Sequence, residues 1–120
     1  MVVNTGVDAA VPDVLAQRQL DAYNAHDIDA FAAAFAEDVE AYELPTMALL
    51  FKGREALRER YGPYFEKERP AATLVSPRVC VGDFAIDTER VLLADGRVLS
   101  AVALYQIESE SIRRMWFIRG

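Results

Sequence analysis

Four stretches rich in β-branched and aromatic residues, TLVSPRVCV, FAIDTERVLLA, RVLSAVALYQI and SIRRMWFI, fill the second half of the chain. The breaks between them are short: Gly82-Asp83, Asp95-Gly96 and Glu108 to Glu110. An Asp-Gly step between two such runs is among the strongest short-range hairpin signals, because glycine takes positive φ freely. Consecutive hairpins predict an antiparallel four-stranded meander. Two of the runs are apolar on both faces. Val98, Val102 and Leu104 alternate with Leu99, Ala101, Ala103, Tyr105 and Ile107, while Met115 and Phe117 alternate with Ile112, Trp116 and Ile118. One face covers the rest of the domain. The other also needs cover, since a large apolar sheet face is not left in water. A homodimer through an outer face of Tyr105, Ile107, Ile112, Trp116 and Ile118 is therefore expected.

The first half has a different period. Pro12 suits the first turn of a helix, where its missing N–H costs nothing. Leu15, Ala16, Gln19, Leu20 and Tyr23 then recur at helical spacing. Asp27 is placed to cap a second helix, with Ile28, Phe31 and Phe35 on one face. DVEAYELP, Asp38 to Pro45, alternates as a short strand, and TMALLFKG follows as a loop or ragged extension of it. Gly53 opens a third helix with Leu57, Tyr61 and Tyr64 on one side; Pro63 predicts a kink or stop near Tyr61, and EKERP a charged linker. The order is helix, helix, short strand, helix, then a meander, an α+β class.

At 120 residues the chain is expected to be one domain over 1–120, with 1–10 a flexible N-terminus. A net charge of −6 with scattered Lys and Arg gives no basic patch, which argues against nucleic acid and anionic membrane as partners. No leader-like basic and apolar segment opens the chain and no run has membrane-spanning length, so a cytoplasmic location is expected. A single cysteine, Cys80, excludes an internal disulfide framework and reads as a buried small hydrophobe. The spacing holds no His/Cys/carboxylate cluster for a metal and no glycine-rich phosphate loop, so no metal and no cofactor are expected.

The strings YNAHDIDAFAAAFAEDVEAYELP and FKGREALRERY, with a terminal strand ending MWFI, resemble the SnoaL-like and ketosteroid-isomerase-like branch of the nuclear-transport-factor-2-like superfamily. The resemblance spans roughly Val11 to Arg119. It implies a cone-shaped α+β barrel: three N-terminal helices packed in a curved antiparallel sheet around an apolar cavity. One fold of this kind hosts many functions. In the isomerase an aspartate at the end of the first strand is the proton-transfer base, and Glu43 falls on that position. A tyrosine on the third helix lines the family's cavity, and Tyr61 matches it. The two oxyanion donors fall on Gln19 and Val102, which do not match. Ser100 and Val102 stand where related epoxide hydrolases carry an Arg-x-Asp pair. The resemblance thus implies proton transfer but neither steroid isomerisation nor epoxide opening.

Parity independently puts Glu43 on the row of Val39 and Ala41, so it is either a general base in a pocket or the solvated end of a strand. Gln19 interrupts the apolar stripe of the first helix; it either satisfies a nearby backbone group or orients a ligand carbonyl. Leu15, Tyr23, Phe31 and Phe35 are expected to line the cavity. So are Tyr61, Val102, Met115 and Phe117. His26 reads as a solvated turn residue rather than a base. In IDTER, Asp87 and Glu89 share one strand face and Thr88 and Arg90 the other; if Arg90 faces inward, it is a candidate ion-pair partner for Glu43. Two functions fit: a cofactor-independent isomerase, cyclase or dehydratase acting on an apolar small molecule, or a non-catalytic ligand-binding or dimerisation module.

Overall fold

The computed structural model describes residues 10–120. The expected N-terminal tail lies outside the described residues, except for Ala10, which opens the first helix. Helix α1 runs Ala10–Ala25 with Pro12 in its first turn. It buries Leu15, Ala16, Gln19, Leu20 and Ala22. His26 ends it at φ 56, a left-handed position usually taken by glycine. There its N–H donates to Tyr23 O (3.0 Å) and that of Asp27 to Ala22 O (3.0 Å), which satisfy two of the last carbonyls of the helix. The Asp27 carboxylate then caps α2 (Ile28–Ala33), accepting from Ala30 N at 3.1 Å. His26 is not a free turn residue: its Nε2 donates to Pro70 O at 2.7 Å and ties this corner to the far side of the domain.

Strand β1 (Phe35–Glu43) starts earlier than expected. Phe35 belongs to the strand and not to the face of α2, because Phe35 pairs with Ile112, whose N–H donates to Ala34 O at 3.0 Å. β2 (Ala48–Lys52) is a true strand where a loop or ragged extension was expected. It returns antiparallel on β1 through a turn holding the cis Leu44–Pro45 bond. Gly53, at φ 94, caps helix α3 (Arg54–Glu68).

Pro63 neither kinks nor stops this helix, and most of the expected EKERP linker is helical. Pro63 sits on the solvent side, while Tyr61, Tyr64 and Phe65 pack inward among the rings of Tyr23 and Phe31. That burial offsets the roughly 3 kcal/mol a helix-interior proline costs.

The first run of the meander breaks into β3 (Ala71–Leu74) and β4 (Val79–Val81), both paired with β5 (Phe84–Leu92). Pro77 lacks the N–H a continuous strand needs, and Arg78 leaves the ladder to reach Asp87. β6 (Val98–Glu108) and β7 (Ser111–Arg119) complete the meander. The sheet order is β2-β1-β7-β6-β5-β3, and β1 runs parallel to β7. The sheet is therefore mixed and seven-stranded, open at β2 and β3 rather than wholly antiparallel.

Register settles which face is which. Ala103, Tyr105 and Ile107 of β6 are buried against the helices, as are Ile112, Met115 and Phe117 of β7. Tyr105, Ile107 and Ile112 thus belong to the core and not to the outer face expected of them. Ile112 changes sides because the pairing slips between Gln106 and Ile107, leaving Arg113 as an extra residue and reversing parity. The outer face carries Trp116 and Ile118, with Tyr42, Phe84 and Leu104 aligned beside Trp116.

Candidate functional site

Where the helices leave the sheet, a cavity of about 430 Å³ remains, the size of a small-molecule site. α1 supplies Gln19, Leu20 and Tyr23; α2 and the start of β1 supply Phe31 and Phe35. α3 contributes Arg60, Tyr61 and Tyr64. The sheet closes it with Glu89, Ala101 and Tyr105, and with Met115, Phe117 and Arg119 of β7. Exposed Arg60, Leu99, Ser100 and Arg119 mark its mouth.

Of the residues expected to line it, Gln19, Tyr23, Phe31, Phe35, Tyr61, Met115 and Phe117 do so. Leu15 is buried in the core beneath the wall. Val102 faces outward, since it pairs with Ile118 and Thr88 on the outer face. Its inward neighbours, Ala101 and Ala103, have no donor to offer either. The Gln19 amide donates to Ala16 O at 3.0 Å, so it serves its own helix as well as the wall.

Glu43 keeps the parity read from the sequence, paired with Phe117 on the inward side, but it is not among the residues that line the cavity. Its carboxylate lies 3.4 Å from Arg119 Nη2, and Oε2 is buried without a hydrogen bond. Arg90 is not its partner: Arg90 is exposed on the outer face, opposite Ser100.

Asp87 and Glu89 are the inward pair of IDTER, between Ala85 and Val91. Asp87 is fully buried and gripped by Arg78, Nε to Oδ1 at 2.6 Å and Nη2 to Oδ2 at 3.1 Å. Arg78 Nη1 reaches on to Asp13 Oδ1 (3.0 Å) and O (3.1 Å) of α1. Burial lowers the Arg78 pKa, but the hydrogen bonds and charge of Asp87 outweigh it and the net direction is up.

Among the described residues Glu89 has no such partner. Burial first, and the Asp87 charge second, push its carboxyl from 4.5 up to about 7, against a smaller pull from Arg78. Opposite it stands only Ala101, which leaves room for a ligand. Its charge helps raise the pKa values of Tyr23, Tyr61, Tyr64 and Tyr105, which line the same cavity.

Burial keeps these phenols protonated, pushing Tyr61 up to about 12 and Tyr23 and Tyr105 well above the ordinary phenol value. Tyr23 and Tyr64 share a 2.7 Å hydrogen bond. Tyr61 and Tyr105 have no protein partner among the described residues and are open donors. Sequence reading missed Glu89, Tyr105, Arg60 and Arg119. The Asp95-Gly96 hairpin could have aligned Glu89 with Ala101, but not told which side of that pair faces in.

Cys80 on β4 is partly buried against the core, and burial pushes its thiol up, away from nucleophilic form. Among the described residues no cluster of His, Cys, Asp or Glu is set to hold a metal, and no helix is long and apolar enough to cross a membrane.

Three helices set against one face of an open mixed sheet, with an aromatic cavity between them, define a nuclear-transport-factor-2-like α+β cone. The sequence profile of the SnoaL-like domain matches residues 16–115, and the chain belongs to that family. Among solved structures it is similar to a candidate ketosteroid isomerase from Kribbella flavida, at 21% identity and TM-score 0.80 over 92% of this chain and 78% of that one. A nuclear-transport-factor-2-like protein of unknown function from Mesorhizobium loti matches at 20% identity and TM-score 0.79 over 99% of both chains. A candidate polyketide cyclase from Sinorhizobium meliloti matches at 18% and 0.75, over 92% of this chain and 99% of that one. At these identities the likeness shows the fold alone. A sequence search of curated proteins finds no match.

Proposed function

We propose that the cone binds an apolar, carbonyl-bearing small molecule and moves a proton on it without a cofactor, as an isomerase, cyclase or dehydratase does. Glu89, rather than Glu43, is the base. The observation that carries this is a carboxyl with no ion-pair partner among the described residues, in an apolar cavity that four phenols also line, its pKa lifted to about 7. A base poised near neutral pH balances the fraction ionised against proton affinity. As the Glu89 carboxylate takes a proton from the carbon beside the carbonyl, negative charge grows on the carbonyl oxygen. Tyr61 and Tyr105, held protonated by burial, are donors for that charge. They stand in for the donors absent at Gln19 and Val102. Gln19 helps shape the wall.

Proton exchange gives a test that needs no knowledge of the natural substrate. The protein is mixed with a panel of cyclic ketones in D₂O, and loss of α-proton signal is followed by NMR. Exchange is expected with at least one ketone, rising with pH through about 7 as Glu89 ionises. Glu89→Gln should abolish it while thermal-shift binding persists; Glu43→Gln should retain it. Exchange that survives Glu89→Gln refutes the assignment of the base. Binding without exchange in the native protein favours the non-catalytic module.

A further inference from the structure

The mouth of the cavity carries more donors than the proton-transfer reading uses. Arg60 and Arg119 both line it, from α3 and from the end of β7. Each guanidinium lies over a ring, Arg60 5.7 Å from the centre of Phe51 and Arg119 5.4 Å from that of Phe117. A cation over a ring face is attracted by the ring's quadrupole, and that contact does not consume the guanidinium N–H donors. Both positive charges act on the Tyr61 hydroxyl, which has no protein partner of its own among the described residues. Two guanidinium groups that the proton-transfer reading leaves unused therefore stand at the mouth of a largely aromatic cavity.

Among the described residues, one carboxylate lies within ion-pair distance of either guanidinium. Glu43 meets Arg119 Nη2 at 3.4 Å, too poorly aligned for a hydrogen bond, and leaves Oε2 unsatisfied. Arg60 has no carboxylate partner among the described residues. Glu43 is best understood as the residue that positions Arg119 at the rim. The chain as a whole carries −6, so long-range steering does not favour anions and the preference must be local.

We propose that the ligand is an apolar molecule bearing a carboxylate, its anionic end held by Arg60 and Arg119 at the mouth and its body lying against the rings toward Glu89. This rests on the reading of the cone as a ligand site, and names the class of molecule it takes. A guanidinium pair matches a carboxylate by charge-assisted hydrogen bonds that an ester cannot make.

The test uses 2-naphthylacetate and its methyl ester, titrated calorimetrically into the full chain at low salt. The acid is expected to bind at least tenfold tighter than the ester. Arg60→Gln and Arg119→Gln should each reduce that ratio severalfold while leaving ester affinity in place. Arg90→Gln, which removes the same charge from the outer face, should leave the ratio unchanged. Arg60→Gln, at an exposed site, keeps the test open if Arg119→Gln fails to fold. Equal binding of acid and ester, or a ratio that falls as much in Arg90→Gln, overturns the inference and leaves the cone as a ligand site. Binding of neither probe overturns both.

Discussion

Replacing Glu89 by glutamine should stabilise the protein, and more so as pH rises. The direction is opposite to that of an ion-paired carboxylate. Glu89 titrates near 4.5 in the unfolded chain and near 7 in the folded one, so between those values the native state holds the extra proton. Folding stability then falls with rising pH across that window, because ionising the group in the cavity costs burial and Asp87 repulsion. Each pH unit is worth about 1.4 kcal/mol, which sets a ceiling of about 3 kcal/mol; solvent at the cavity mouth brings the expectation to about 2–3 kcal/mol. Glutamine is close in shape and carries no charge. Urea unfolding of the native protein and Glu89→Gln would be measured from about pH 4 to pH 8.5. Both should be equally stable near pH 4, and the variant should gain steadily above pH 5 with the full difference reached above pH 7. Parallel curves, or a native protein that gains relative to the variant with pH, would refute the burial argument.

Other outcomes follow from the same structure. Arg78→Met leaves Asp87 buried without its partner and should cost about 3–5 kcal/mol in urea unfolding, whereas Arg78→Met combined with Asp87→Leu should recover most of it. Ser109 and Glu110 hold φ 52 and 61 in the β6–β7 turn, so Ser109→Asn with Glu110→Gly should stabilise by about 0.5–1 kcal/mol in the same assay. Asp27→Ala removes the α2 cap and should cost about 1 kcal/mol. We propose that a second copy covers the outer sheet face around Trp116 and Ile118; sedimentation at micromolar concentration should give a dimer that Trp116→Lys dissociates, and a native monomer would refute it.

Local chemistry is what the sequence made legible. The Asp27 cap, the hairpins around Gly82, Gly96 and Ser109, and the aromatic wall from Tyr23 to Tyr61 all follow from short-range rules, and the structure has them. Long-range pairing overrode those rules at Phe35, which the parallel ladder with β7 draws out of a helix, and at Pro63, which inward-packed aromatics carry through one. Facing was the harder problem. Alternation assigns residues to two faces, but where both are apolar it does not say which is inside. That ambiguity sent Tyr105 and Ile107 to the wrong side, and in IDTER, polar on both faces, alternation equally left open whether Glu89 or Arg90 points in. Ile112 was lost to a one-residue slip that no spacing in the chain announces. Glu43 was placed on the correct face, yet it does not line the cavity; its carboxylate meets Arg119 of the last strand, which does.

Direct titration of the Glu89 carboxyl reaches the centre of this account. The ¹³C resonances of glutamate carboxyls would be followed by NMR across about pH 3.5 to 9, with Glu89 assigned by its disappearance in Glu89→Gln. A midpoint near 7 is expected. A midpoint near the ordinary 4.5 would mean a solvated or paired carboxylate, and would contradict Glu89 as the base in the cone.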